Sequence, residues 1–598
     1  MRFNRPIHWP TGQKVNRQPR LLLTILLAAA VGIPYWMYAR TEKSSVTPPT
    51  PDAPRPARGG ALVASTRSDP RSFNRLVQAQ IGTELFAQLT QGRLVRINRA
   101  TLELEPWLAE RWTASPDGTS YTLTLRDGVT WSDGTPFTSA DVLFTFEALY
   151  DPRSSSILVS AMTVGGKPVG VTAPDARTVV VTYAAPFGPG IRILDLLPIM
   201  PKHKLEGAFK AGTFAKSWAP DTPPTEMASI GPFVLAQYQP AQRMVFERNP
   251  RYWRKDDAGT QLPYADRLTI EIVPDQDAEL VRLQSGQIDF TQQPLRATDI
   301  ETLRPLQEQG KVQIREIGVS LEADSFIFNL RPAKWAQDPR AAWVTRKELR
   351  QAISHAVDRE AFANTVFLGA AVPIYGPVTP GNRRWFWASH PRYEFSRDKA
   401  KALLASIGLA QRDQDEWLED AQGHDARLSV MTFRGNSVLE RSAAVIREDL
   451  RQVGIALDVV PLETNSIQQR VVSGDFEAVL VQFTASDPDP ALSKDFWISS
   501  GSSHFWNSEQ PTPATDWERQ IDELMARQAS TLDESERKRL FTEVQRIFAD
   551  NLPMLHFAAP RVYIGASARL VGLRPALTRP HIMWSPDTLA VANATRSQ

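Results

Sequence analysis

The stretch LAERWTASPDGTSYTLTLRDGVTWSDGTPFTSADVLFTFEAL runs from Leu108 to Leu149, and its local grammar is turn, strand, turn, helix. SYTLTLR (120–126) alternates strictly, with Tyr121, Leu123 and Leu125 on one face, the pattern of a half-buried strand. SPDG (115–118) supplies a turn before it and Asp133-Gly134 another after Trp131. Thr138-x-x-Asp141 has the form of a capping box, and Val142, Leu143, Phe146 and Leu149 line the buried side of the helix it opens.

Outward from this unit the same signals recur. Strand-like runs fall at 178–183, 232–236, 243–247 and 268–273. The second half holds more helix. Thr345-x-x-Glu348 reads as a capping box before Leu349, Ala352, Ile353, Ala356 and Val357, spaced for one helical face. Asp358 is placed to cap the next helix. A helix near 396–407 stops at Gly408, and another, with Ala443, Ile446, Leu450 and Val453, stops at Gly454. IALDVV (455–460) and EAVLVQF (477–483) read as strands. Asp533 caps a helix carrying Leu540, Val544, Ile547 and Phe548, closed by Pro553. Helices alternating with strands predict α/β lobes with mixed sheets, and 598 residues predict two to four domains or lobes.

Hydrophobic residues make up 42% and charged residues 22%, so most of the chain should fold. There is no cysteine, which excludes disulfides, thiolate zinc sites and cysteine nucleophiles. The net charge of +2 hides a split: residues 1–60 carry nine Lys/Arg and two acids, leaving 59 basic against 64 acidic residues beyond. A mildly acidic body argues against nucleic acid as a partner.

Leu21 to Ala39 is uncharged, and five basic residues precede it with no acid. Basic flank before apolar core is the layout of a signal peptide or membrane-anchor helix, and its length suits a span. This reading leaves 1–20 in the cytoplasm and sends the body outward. It favours an uncleaved anchor at Leu21–Ala39 over a cleaved signal, and no cysteine follows for a lipid anchor. Residues 40–60 form a Pro-rich linker, and the folded body begins near Gly60.

No P-loop, dinucleotide fingerprint, nucleophile elbow or HExxH is present, and the eight histidines stand at no mutual ligand spacing. No cofactor or metal is indicated. FTASDPDP (483–490) places Asp487 and Asp489 two residues apart among prolines. Their spacing alone admits an acid/base pair, a metal site, a clamp for a cationic ligand, or a turn.

The 108–149 stretch, through Leu108, Trp112, Asp117-Gly118, Trp131, Asp133-Gly134-Thr135-Pro136 and Ala140-Asp141-Val142, resembles the signature region of the family 5 extracellular solute-binding proteins. These are peptide-, nickel- and opine-binding components of bacterial ABC importers. The resemblance continues through GPFVLAQY (231–238), ERNPRYW (247–253), LQSGQIDF (283–290), ELRQAISHAVDRE (348–360), DKAKALLASIGL (398–409), SGDFEAVLVQF (473–483) and LPMLHFAAPRVY (552–563), covering about residues 61–566.

It implies a two-lobed periplasmic binding protein type II-like fold that closes on a hinge. The first lobe would comprise 61–80, 225–326 and 551–598, with an extra subdomain at 81–224; the second would be 327–550. The implied function is capture of a solute, a peptide or peptide-like molecule, for an ABC permease and its ATPase subunits. The chain would be a monomer on the periplasmic or extracytoplasmic face of the membrane, and no enzyme. The alternatives are a membrane-anchored sensor or scaffold on the same fold, a non-peptide ligand, and an exported hydrolase using Asp487 and Asp489.

Cleft positions implied by the resemblance are Ser72, Phe73, Asn74, Trp131, Phe483, Thr484 and Asp487. WISSGSSHFWNSEQ (497–510) adds Trp497, His504, Trp506 and Asn507, residue types suited to a large cavity with aromatic walls and polar anchors. In peptide-binding members a tryptophan leads the loop after the 477–483 strand and a nearby aspartate holds the ligand amine. Here Phe483 replaces the tryptophan, and the aspartate position falls near Thr484. Either Asp487 substitutes or amine recognition is lost. Asp489, between two prolines, reads as a turn residue.

Overall fold

A computed structural model describes residues 56, 58–483 and 488–592. The opening stretch folds as its pattern dictates. Ala109–Ala114 and Ser120–Leu125 pair antiparallel, and Tyr121, Leu123 and Leu125 face the core. Thr138 and Asp141 close a reciprocal capping box on the Ser139–Tyr150 helix, satisfying backbone donors that the first helical turn leaves open.

Ser120–Leu125 and its antiparallel partner Thr178–Thr182 are the two inner strands of a four-stranded sheet. A second four-stranded sheet runs in the order Ala61–Thr66, Arg267–Ile272, Arg243–Arg248, Phe233–Gln239. One hydrophobic core joins the two sheets, reaching from Leu62 through Trp131 and Phe246 to Leu589.

A separate half is built on a five-stranded sheet, ordered Ala456–Leu462, Arg427–Phe433, Ala478–Phe483, Ala323–Phe328, Met554–His556. Helices cover it on both sides, with Leu349, Ile353, Ile446 and Leu450 in one core and Trp497, Trp506, Phe541 and Phe548 in another. The chain passes between the halves twice. Val312–Val319 runs on into Ala323–Phe328, and Met554–His556 into Ala558–Ser567. The outer pair, Val312–Val319 with Ala558–Ser567, is antiparallel, so the crossing points lie side by side. This is the two-lobed architecture expected from the sequence.

Most predicted helix ends hold. Asp358 accepts from Glu360 and Ala361 backbone N–H groups, and Asp533 from Glu536. Gly408 and Gly454 follow their helices at φ +87° and +83°, the left-handed conformation glycine takes at least cost. Thr345 differs. Its hydroxyl donates to the Ala341 carbonyl at 2.9 Å, because Ala341–Val344 forms a helical turn of its own. The following helix, Lys347–Ala356, therefore starts at Arg346 without a side-chain cap. Among the described residues no helix is long and apolar enough to cross a membrane; the Leu21–Ala39 segment lies outside them.

Asp324, in the five-stranded sheet, is fully buried. It accepts from Ser442 Oγ at 2.5 Å and Gln482 Nε2 at 3.1 Å. Burial outweighs these donors and pushes the carboxyl up to about 6. A folded-state value above the unfolded one, about 3.9, means the native state holds this proton more tightly. The stabilisation is complete below the unfolded value and is lost as pH rises through about 6. Relative to the wild type, Asp324→Asn should therefore gain about 2–3 kcal/mol between pH 4 and pH 7.5. Urea denaturation at the two pH values reads this difference; an equal offset at both would contradict it.

Candidate functional site

Ala478–Phe483 is the middle strand of the five-stranded sheet, parallel to Arg427–Phe433. Parallel strands direct their carboxyl ends to one edge, where open α/β sheets place their ligands. The chain leaves that edge after Phe483. Thr484 and Asp487, with the Phe483 side chain, lie outside the described residues. The Pro488 carbonyl accepts from Asn382 Nδ2 at 3.0 Å.

Asp489 is then clamped. Its carboxylate takes two hydrogen bonds from Arg537, at 2.6 and 3.0 Å, and Oδ1 accepts the Ala491 N–H at 3.0 Å. Both partners of this ion pair are about 95% buried. Arg537 Nε donates to the Gln528 carbonyl at 3.1 Å, and its guanidinium lies 5.0 Å from the centre of the Trp385 ring. Asp489 does form the turn the sequence indicates, and it also ties the end of the loop to the Glu534–Asn551 helix.

Past this anchor the chain forms one wall of a groove of about 780 Å³. That wall includes Leu492, Lys494, Asp495, Ser500, Ser503 and Met525. The facing wall, from the first core, includes Ile157, Thr163, Pro186, Phe187, Ile193 and Leu196. The groove is thus an apolar and hydroxyl-lined space with its two walls drawn from separate cores, the form of a ligand site between lobes.

The walls meet at one end. The Gly188 N–H donates to the Ala529 carbonyl at 2.6 Å, and a Cβ on Gly188 would stand 2.3 Å from the Thr531 carbonyl oxygen. Glycine is what permits this approach. Arg384 adds a second tie, to Glu534 at 2.6 Å and to the Leu102 carbonyl at 3.4 Å.

The cleft candidates named from the sequence are distributed unevenly. Ser72, Phe73 and Asn74 are buried in the first core. Asn74 Nδ2 donates to the Phe214 carbonyl at 3.2 Å, and the Phe73 ring packs 4.6 Å from Phe86. Trp131 is fully buried against Phe137 and His203. Trp497 packs on Phe541 and Phe548. Trp506 lies 3.9 Å from the His504 ring. His504 faces the Phe496 carbonyl through Nδ1 and Glu518 through Nε2, both at 3.2 Å. Burial alone would raise the Glu518 carboxyl, but donors from His504, Gln510 and Thr515 together hold it below its usual range. Asn507 is buried, and its carbonyl accepts from Gln510 Nε2 at 2.8 Å.

These side chains are buried in the packed cores. None of the eight described candidates is among the groove-lining residues. Of the residues that do face the groove, Ser500 and Ser503 fall in the 497–510 stretch singled out in the sequence, whereas Lys494 and Asp495 have no signature there. Pro488–Pro490, directly before that wall, is the signal that could have found these two. Among the described residues no group of three or more His, Asp or Glu is placed to hold a metal ion.

Comparison with known proteins covers both walls. Residues 103–504 match the family model for bacterial extracellular solute-binding proteins, family 5 (middle region). A probable ABC transporter-binding protein of Deinococcus radiodurans is 26% identical over 545 residues, 86% of this chain and 89% of the relative. The dipeptide-binding protein of Escherichia coli is 26% identical over 523 residues, 84% of this chain and 90% of the relative. The solved structure of the oligopeptide-binding protein AppA of Bacillus subtilis, in complex with a nonapeptide, superposes with a TM-score of 0.67 at 22% identity. It spans 90% of this chain and 100% of that one.

Proposed function

This chain belongs to the bacterial extracellular solute-binding proteins of family 5, and from that premise we propose that it captures a peptide or peptide-like solute in the groove between its lobes. The solute is then handed to the permease and ATPase subunits of an ABC importer. The observation that carries this reading is the groove itself. Two independently packed cores face each other across about 780 Å³, room for a short peptide. The family match spans residues from both walls. The relatives named for dipeptide and oligopeptide binding support peptide as the ligand class.

In this reading Phe483, Thr484 and Asp487 contribute to ligand contact, and the buried aromatics hold the wall in place. Lobe I comprises 61–80, 225–326 and 551–598 with the subdomain 81–224, and lobe II comprises 327–550. The basic-then-apolar amino terminus exports the body and tethers it by Leu21–Ala39 at the extracytoplasmic face. The protein acts as a monomer and carries out no reaction.

A ligand that binds only the native state stabilises it by about 2.7 kcal/mol at one hundred times its Kd. Thermal unfolding with pooled short peptides should therefore shift upward with concentration. Native mass spectrometry should show a peptide retained through purification. A flat response to peptide pools would sink the peptide reading. Cross-linking in membranes that recovered a kinase or secretion component in place of a permease would favour the sensor alternative.

A further inference from the structure

We propose that a small monovalent anion, of the size and charge of a halide, binds in a buried cavity built around Arg93, Arg96 and the Gln91 amide. This cavity shares no residue with the groove, and the inference does not depend on which solute the groove takes. Three stretches of chain meet there: Gln88 to Trp107, Gly231 to Tyr252, and Trp584 to Asp587. The centre of a water-sized sphere has about 10 Å³ in which to move, space for one small species.

The charges around the cavity do not balance. Arg96 is buried, its guanidinium 3.8 Å from the Trp107 ring centre and 5.1 Å from that of Trp584. Its Nε and Nη2 donate to Glu105 at 3.2 and 2.7 Å. Asp587 is buried too; its carboxylate is paired with Arg254 and accepts the Tyr252 hydroxyl at 3.0 Å. These two ion pairs cancel, and Arg93 is left over. It is 91% buried, and among the described residues no carboxylate pairs with it. Asp195 is paired with Arg99 at 2.8 Å, and Glu84 with Arg75. Burial pulls the Arg93 guanidinium down, while Asp195 and Glu84 act on it only at longer range. An arginine keeps its charge even so.

Hydrogen bonding is incomplete in the same place. Arg93 Nη1 donates to Gln88 Oε1 at 3.2 Å, but its buried Nε has no acceptor among the described residues. Gln91 is 97% buried, and neither Nε2 nor Oε1 of its amide has a partner there. Both residues line the cavity. A buried cation with unused donors is costly, and an anion hydrogen-bonded to it removes the cost. A halide can accept from Arg93 Nε and Gln91 Nε2 together and neutralise the charge left over. A water would accept the same hydrogen bonds and leave that charge standing. The small volume between Trp107, Tyr252 and Trp584 excludes larger oxyanions. Because the cavity joins three distant stretches of chain, its occupant stabilises the fold of the first lobe.

The test pairs diffraction with melting curves. Crystals of the full chain grown in sodium bromide should show an anomalous bromine peak within hydrogen-bond distance of Arg93 and Gln91. No peak there, with a water as the occupant, overturns the inference. In solution, the full chain should melt at a higher temperature in chloride or bromide than in gluconate at equal ionic strength. That shift should rise with halide concentration and saturate, as for a species that binds only the native state. Arg93→Met should abolish the halide dependence. Gln91→Leu, which keeps every charge, should raise the chloride concentration at half-effect about tenfold, the loss of one hydrogen bond to a charged group. Identical melting of wild type in halide and gluconate, or a halide shift undiminished in both variants, also overturns it. Peptide binding in the groove is unaffected by either result.

Discussion

Asp489→Ala is expected to destabilise the protein by about 3–5 kcal/mol in urea denaturation, the cost of leaving a buried partner charge uncompensated. Arg537 would keep its donor to the Gln528 carbonyl and its place beside Trp385, but lose both hydrogen bonds to the carboxylate. The pair is itself held at a desolvation cost. Replacing both partners, as Asp489→Leu with Arg537→Met, should therefore recover much of the loss. The single variant should also weaken ligand binding beyond its effect on stability. Asp489 anchors the chain directly before the groove wall, where Ala491 to Phe496 follow it. A loss under 1 kcal/mol for Asp489→Ala would show that the ion pair does not anchor the wall.

Arg359→Met should cost a similar amount, about 3–5 kcal/mol, for a different reason. Arg359 is 96% buried, and among the described residues no carboxylate pairs with it. Burial pulls it down to about 10, so it stays charged at neutral pH. Its charge is answered by oxygen acceptors: the carbonyls of Ile374 and His556 from Nε, those of Ser354 and Tyr393 from Nη1, and Ser354 Oγ from Nη2. The Tyr375 and Phe557 rings lie 4.5 and 5.3 Å away. Methionine fills part of the volume and leaves those acceptors buried without donors, at about 1–3 kcal/mol each before relaxation. The His556 carbonyl stands where the chain returns to the first lobe, so the damage should reach the hinge. Arg359→Lys should rescue little, since an ammonium cannot reproduce the planar fork of donors. Full stability in the lysine variant would refute this account.

The secondary structure was legible because it is written locally. Strict alternation at 120–126 and the carboxylates Asp358 and Asp533 at their helix starts act within a few residues, and the fold obeys them. Thr345 shows the limit even there: four upstream residues took its hydroxyl into their own turn. The site was less legible. Phe73, Trp131, Trp497 and Trp506 were recognisable as residues with a strong packing requirement, but sequence does not say which face of a wall a ring occupies. All four are buried behind it.

Asp489 was legible as a turn residue, because its backbone partner Ala491 is two positions away. Its charge partner, Arg537, is 48 positions away on another helix. Arg359 is similar. The cap at Asp358 beside it could be read, but acceptors spread from Ser354 to His556 could not. The groove residues Lys494 and Asp495 have no local pattern at all, because a binding wall is assembled by the docking of two cores.

The central claim is that solute binds between those cores, and a groove-filling variant tests it most directly. Ala526 is exposed on the Asp516–Ser530 helix and lines the groove, so Ala526→Trp places a large ring in the space at small cost to the helix. Calorimetric titration with short peptides should show binding to the wild type and a loss of at least tenfold in Ala526→Trp at unchanged melting temperature. Equal affinity in the two proteins would place the ligand elsewhere and contradict the account.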